Sequence, residues 1–245
     1  MQEQSESQTS DQEPQRSGFW KLQALIFEPR RAFDEIGRNP TWLLPLLLCV
    51  ILGALNFTLL FQAFGAQGLI EKAMQTSGVE QQVPESQMAM MAPILQIQGY
   101  ASALLAPLLG TLILAGIYLI LFYLLGGEST YKKFFSVVAH CFFVYFLTTS
   151  LLLAGIIWIT EDPWDIDLNS PAATNPSFLL DQKESPVLHT LAAAIDLPTL
   201  YYLFLAGLGI GVVSRRTSLA TGMTVVIIPY LLLTAGKAAF AYVIA

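Results

Sequence analysis

Five apolar runs, each near the roughly 20 residues a helix needs to cross hydrocarbon, constrain what this chain can fold into. They are approximately Trp42–Phe64, Ala101–Leu125, Phe134–Ile159, Leu197–Val213 and Leu219–Ile244; the fourth is shortest, and Leu188–Ile195 can extend it. Backbone polar groups inside a bilayer must pair within their own segment, so the runs predict an all-α integral membrane protein with five transmembrane helices. Only 12% of the 245 residues are charged, against about 25% in a soluble domain. The net charge of −6, with no basic stripe carrying interleaved aromatics, excludes a nucleic-acid partner. Cys49 and Cys141 both fall inside apolar runs and read as packing residues, not a disulfide framework.

The stretch LLGGESTYKKFFSVVAH, Leu124 to His140, joins the second and third runs. Gly126 and Gly127 stop one helix, because glycine accepts the left-handed conformation of a helix C-terminus. Ser129 and Thr130 are placed to cap the next helix, which starts near Tyr131. Lys132 and Lys133 then sit in a first turn, where the helix dipole disfavours cations by about 0.3–1 kcal/mol each. Anionic lipid on the cytoplasmic side favours basic side chains by about 1 kcal/mol each, which marks this hairpin as a cytoplasmic candidate interaction loop. An inside amino terminus also gives Arg16, Lys21, Arg30, Arg31, Arg38, Arg215 and Arg216 to the cytoplasm and leaves Lys72 and Lys183 outside. The carboxyl terminus is then external.

The chain divides into three parts. Residues 1–17 have no large apolar residue after Met1 and read as a disordered polar tail without signal-peptide features. Residues 18–39 read as an amphipathic interfacial segment, with Phe19, Leu22 and Ile26 on one face, beside Trp20, Leu25 and Phe27. Pro29 divides it; beyond, Ala32, Phe33 and Ile36 line up opposite Arg30, Arg31, Asp34, Glu35 and Arg38. A solvated helix packed on the bundle is the alternative. Residues 40–245 form the five-span membrane domain.

Two external loops invite metal readings that their details do not support. Met74, Met88, Met90 and Met91 suggest soft-metal thioethers, but their spacing suits an apolar face on short helices around Leu69–Met74 and Glu85–Gln98. Asp162, Asp165 and Asp167 lack the glycine and closing glutamate of a calcium loop and read as a turn-rich cap. No HExxH, GxSxG or P-loop is present, and His140 and His189 alone make no metal site, so neither enzyme activity nor a cofactor is expected.

Polar residues within the spans are few. His140, one turn after Ser136, is expected to make an interhelical hydrogen bond, with a ligand or proton-relay role as the alternative. Pro107 and Pro229 are expected to kink their spans. Gly207 and Gly211 have GxxxG spacing and favour close helix approach. Asp196 and Lys237 lie 20 and 21 residues from Arg216 along adjacent spans, hence at a matched depth of roughly 30 Å. They either form an ion pair, or Asp196 caps its helix while Lys237 snorkels alone.

Four stretches carry a family resemblance: EPRRAFDEIGRNPTWLLPLLL, LLGGESTYKKFFSVVAH, IDLPTLYYLFLAGLGIGVVSRR and TSLATGMTVVIIPYLL. With them the chain resembles the Yip family of Ypt/Rab-interacting membrane proteins, in its bacterial-type branch, over most of residues 19–245. The resemblance implies a five-span fold and a non-enzymatic adaptor or membrane-organising role in a bacterial cytoplasmic membrane. Eukaryotic members are implicated in vesicle trafficking through prenylated small GTPases, a partner that a bacterial relative would lack. The partners implied here are the lipid bilayer and a second membrane protein or another copy of the chain. A small carrier, or an accessory subunit of an export complex, is the alternative, with His140 and Asp196 lining a pathway. An intramembrane enzyme is a further one.

Overall fold

The computed structural model describes residues 16–76, 84–162, 166, 174–182, 184–214 and 218–244. Ser17 starts α1 (Gly18–Phe27): its hydroxyl accepts from the backbone N–H of Trp20 at 3.2 Å. Pro29, which has no N–H to offer, opens α2 (Pro29–Arg38) at the position where none is needed. The long helices follow as α3 (Leu43–Thr76), α4 (Glu85–Leu124) and α5 (Tyr131–Ile159). A 3-10 turn at Pro176–Leu179 leads to α6 (Pro186–Ala193), α7 (Leu197–Val213) and α8 (Leu219–Ile244).

Among the described residues, α3, α4, α5 and α8 are each long and apolar enough to cross a membrane, and α6 with α7, bent by 52°, passes the same test as a pair, which gives four such helices or five if the pair is one span. The chain is thus an all-α multi-pass membrane protein. Its short outer helices are not separate elements, however. The segment around Leu69–Met74 is the end of α3, beyond a break at Gly65, whose φ of 66° only glycine adopts without strain. Glu85–Gln98 is the start of α4, whose 40 residues reach about 60 Å, twice the hydrocarbon thickness.

The prolines inside the long spans leave the helices continuous. α4 runs through Pro93 and Pro107, and α8 through Pro229. Pro107 frees the carbonyl of Ala103, and α3 packs Gly53 beside it, close enough that a Cβ there would stand 3.4 Å from that oxygen. A bend of 52° falls before Pro198. Its ring would clash with the Ala194 carbonyl in a continuous helix, so the chain breaks there and that carbonyl accepts the Tyr230 hydroxyl. Leu188–Ile195 is therefore a separate arm, not a straight extension of α7.

The centre of the bundle is α5, packed against α3, α4 and α7. Phe134, Val137, Val138, Ala139, His140 and Cys141 are all fully buried near its start. α2 lies across this end: Ala32, Phe33 and Ile36 are fully buried in the same core as Phe122, Leu205 and Ile210. The apolar face of α2 is therefore covered by protein, as in the packed-helix alternative, because α7 and α5 lie directly beneath it. α1 is two-sided, with Leu22, Ala24 and Leu25 turned in and Phe19, Ile26 and Phe27 exposed.

α7 and α8 approach most closely at glycines. A Cβ on Gly207 would meet the Met223 side chain at 2.3 Å, and one on Gly211 would lie 3.3 Å from Leu219 Cα. The tightest position is Gly222 on α8, where a Cβ would fall 2.1 Å from the Gly207 carbonyl oxygen. Backbone cannot yield as a side chain can, so Gly222→Ala should cost about 1–3 kcal/mol. Gly155→Ala, with nothing within 4 Å, should be near neutral. Melting of both variants in detergent checks the contrast.

Candidate functional site

Two places concentrate polar chemistry: the end of the bundle that carries Lys132 and Lys133, and a cavity near the opposite end.

At the basic end, lysines complete helix C-termini. Lys21 is fully buried, and its ammonium donates to the Asn39 carbonyl at 2.7 Å and the Thr41 hydroxyl at 3.3 Å. Asn39 closes α2, where carbonyls without helical partners carry the negative end of the dipole. Burial lowers the Lys21 pKa from its ordinary value, and the nearby Glu35 carboxylate opposes that shift. Lys133 donates to the Val213 carbonyl at the end of α7, at 3.5 Å. Its unfavourable place at the start of α5 is thus offset by the C-terminus of a neighbouring helix, a compensation invisible along the chain. Lys132 is exposed.

The hairpin turn is held by backbone and tyrosines. Gly126 has φ 77°, and the N–H groups of Gly126 and Gly127 donate at 3.0 Å to the carbonyls of Tyr123 and Phe122, which closes α4. Thr130 stands at the cap position of α5 but makes no side-chain cap bond, and the Ser129 hydroxyl is buried without a partner. Their expected capping is not made. Tyr123 donates to the Ser129 carbonyl at 2.7 Å and Tyr131 to the Leu112 carbonyl at 2.9 Å, so two phenols fix the loop instead.

His140 is fully buried, and no interhelical hydrogen bond forms. Its Nδ1 donates to the Ser136 carbonyl one turn back, at 2.7 Å, and its Nε2 has no partner. The Ser136 hydroxyl is itself spent on the Lys132 carbonyl at 2.8 Å. Neither Asp196 nor Lys237 meets His140.

Asp196 is the N-cap of α7. It accepts from the Thr199 N–H at 3.2 Å, the Thr199 hydroxyl at 3.0 Å and the Thr174 hydroxyl. Among the described residues Asp196 and Lys237 form no ion pair; that between Glu28 and Arg31, at 3.0 Å, lies elsewhere on the surface. Both nevertheless line one cavity of about 680 Å³, within the usual range for small-molecule sites. Its walls come from α3, α5, α6, α7, α8 and the 174–182 segment, with His189, Asn56, Tyr145 and Tyr230 among the polar lining residues. The sequence reading missed this cavity, because Asn56 and His189 are 133 positions apart. The signal that was available is the helix-breaking Asp196-Leu197-Pro198 within an apolar span.

No group of three or more metal-ligating side chains occurs among the described residues. Met90 and Met91 are exposed on α4. Asp165, Asp167, Lys183, Arg215, Arg216 and residues 1–15 lie outside the described residues.

Residues 23–239 match the family model described as Yip1 domain. No curated protein and no solved structure matches the chain.

Two measurements test the geometry. The unfolded chain binds more protons than the folded one between the lowered folded pKa of Lys21 and the ordinary 10.5, so stability should rise with pH through that window. Melting in detergent from neutral to alkaline pH should show the rise, and Lys21→Met should flatten it. The stability losses of Asp196→Asn and Lys237→Met should add to within about 0.5 kcal/mol, since no pair links them.

Proposed function

The chain belongs to the Yip family, and on that premise we propose that it is a non-enzymatic adaptor or membrane-organising protein of the bacterial cytoplasmic membrane. Its docking surface is the basic end, facing the cytoplasm. The observation that carries this reading is the joining there of three separate pieces of chain. Lys21 ties α1 to the end of α2, Lys133 ties α5 to the end of α7, and Gly37 of α2 packs against Val213. A surface held in this way is preorganised, so little ordering entropy is lost when a partner docks. It presents Arg30, Asp34, Glu128, Thr130, Tyr131 and Lys132 to solvent. The partner it suits is a membrane protein or a second copy of the chain; a small GTPase enters by family analogy alone. In this reading the helix pair at 18–39 is the platform, the membrane domain from 40 is the scaffold, and 1–17 is a polar tail.

A second reading, a carrier or an accessory subunit of an export complex, is favoured by the cavity beside the broken span.

Photo-crosslinking from residues 128 and 132 in intact cells, followed by purification, tests the first reading. A reproducible partner protein or a homodimer that disappears with Lys132→Glu is the expected result. Crosslinks to an export ATPase would favour the second reading. Labelling of Ser129→Cys by a membrane-impermeant reagent in intact cells would overturn the orientation.

A further inference from the structure

The cavity between α5 and α8 brings an unpartnered buried acceptor together with a histidine and a lysine. Most of its lining is committed. Asp196 is saturated by Thr174 and Thr199, the Tyr230 hydroxyl by the Ala194 carbonyl, and the Thr190 hydroxyl by the Pro186 carbonyl. Three of the other lining groups bear on what the cavity can hold. His189 is only 8% exposed, and its imidazole has no hydrogen-bond partner among the described residues. Asn56 Oδ1 is buried without a partner. Lys237 carries a cation with no ion pair among the described residues. A buried acceptor is nearly always paired, so the lone Asn56 oxygen, with the His189 ring and the exposed Lys237 ammonium lining the same cavity, points to a ligand.

Its chemistry follows from the walls. The Asp196 charge is dispersed over three donors and the start of α7, which leaves Lys237 as the uncompensated charge, so the ligand is an anion. Asn56 and His189 both donate and accept, and suit hydroxyl or ester oxygens. Leu60, Phe146 and Leu153 make the cavity more apolar than a site for a wholly hydrophilic anion. Leu233 lines it while remaining 59% exposed on the outside of a span, so the cavity is continuous with the lipid-facing surface. We propose that the cavity takes the phosphate-bearing head group of a phospholipid, with Lys237 on the phosphate, Asn56 and His189 on the polar head, and the acyl chain leaving past Leu233. The site is independent of the docking surface at the other end.

The test uses the full chain in neutral detergent and native mass spectrometry with three probes: lysophosphatidylglycerol, a monoacylglycerol of the same chain length, and glycerol 3-phosphate. Saturable binding of the lysophospholipid alone is expected. Lys237→Met should weaken it about tenfold or more, the usual weight of a hydrogen bond to a charged group. Thr149→Trp, which adds bulk to the cavity wall, should weaken it; should that variant not fold, the exposed Lys237→Met and the isosteric Asn56→Leu carry the test. Equal binding of the monoacylglycerol would remove the role of the phosphate, and equal binding of glycerol 3-phosphate would make the ligand a soluble ester. Either result, no saturable binding, or binding indifferent to Lys237→Met overturns the proposal.

Discussion

A backbone carbonyl at the end of a helix in or near hydrocarbon must find a donor, and this requirement organises the structure. Four helix ends show how the donor is supplied. The end of α4 is closed by the N–H groups of Gly126 and Gly127. The end of α2 receives Lys21, the end of α7 receives Lys133, and the carbonyl freed at the α6–α7 bend receives Tyr230. Three of these four donors are side chains from other helices, so satisfying a helix end also fixes how two helices lie together.

The same requirement separates the two ends of the molecule. At the basic end the donors are lysines, and the core beneath them is dense, with α2 laid across α5 and α7. At the other end α5 and α8 stand apart around a cavity, and the α6 arm with the 174–182 segment closes over it. Close contact is concentrated where glycines allow it, at Gly207, Gly211 and Gly222 between α7 and α8. The densely packed basic end and the end holding the polar cavity thus lie apart in the fold.

Lys21 and His140 show how buried polar groups are tolerated here. The lysine is buried yet hydrogen-bonded to a carbonyl and a hydroxyl, so its charge has an answer. His140 uses one nitrogen on its own helix and leaves the other unpartnered in a fully packed place. His189 lines the cavity at the other end and His140 does not, so the two histidines are not equivalent.

Much of the fold was legible in the chain because its signals are local. Runs of about 20 apolar residues imply spans in any context. Pro29, the Gly126-Gly127 pair and the Asp196-Leu197-Pro198 sequence act within a turn or two of themselves, and each marks a real boundary. The family was legible for the same reason, in short stretches such as LLGGESTYKKFF. What lies between helices was not. Whether Lys133 meets lipid or the Val213 carbonyl, whether Asp196 pairs or caps, whether the face of Phe33 and Ile36 meets bilayer or α7, and that Asn56 and His189 line one cavity all depend on how the helices are rotated and stacked. Helical periodicity defines a face but not its partner, so only the tertiary structure could decide them.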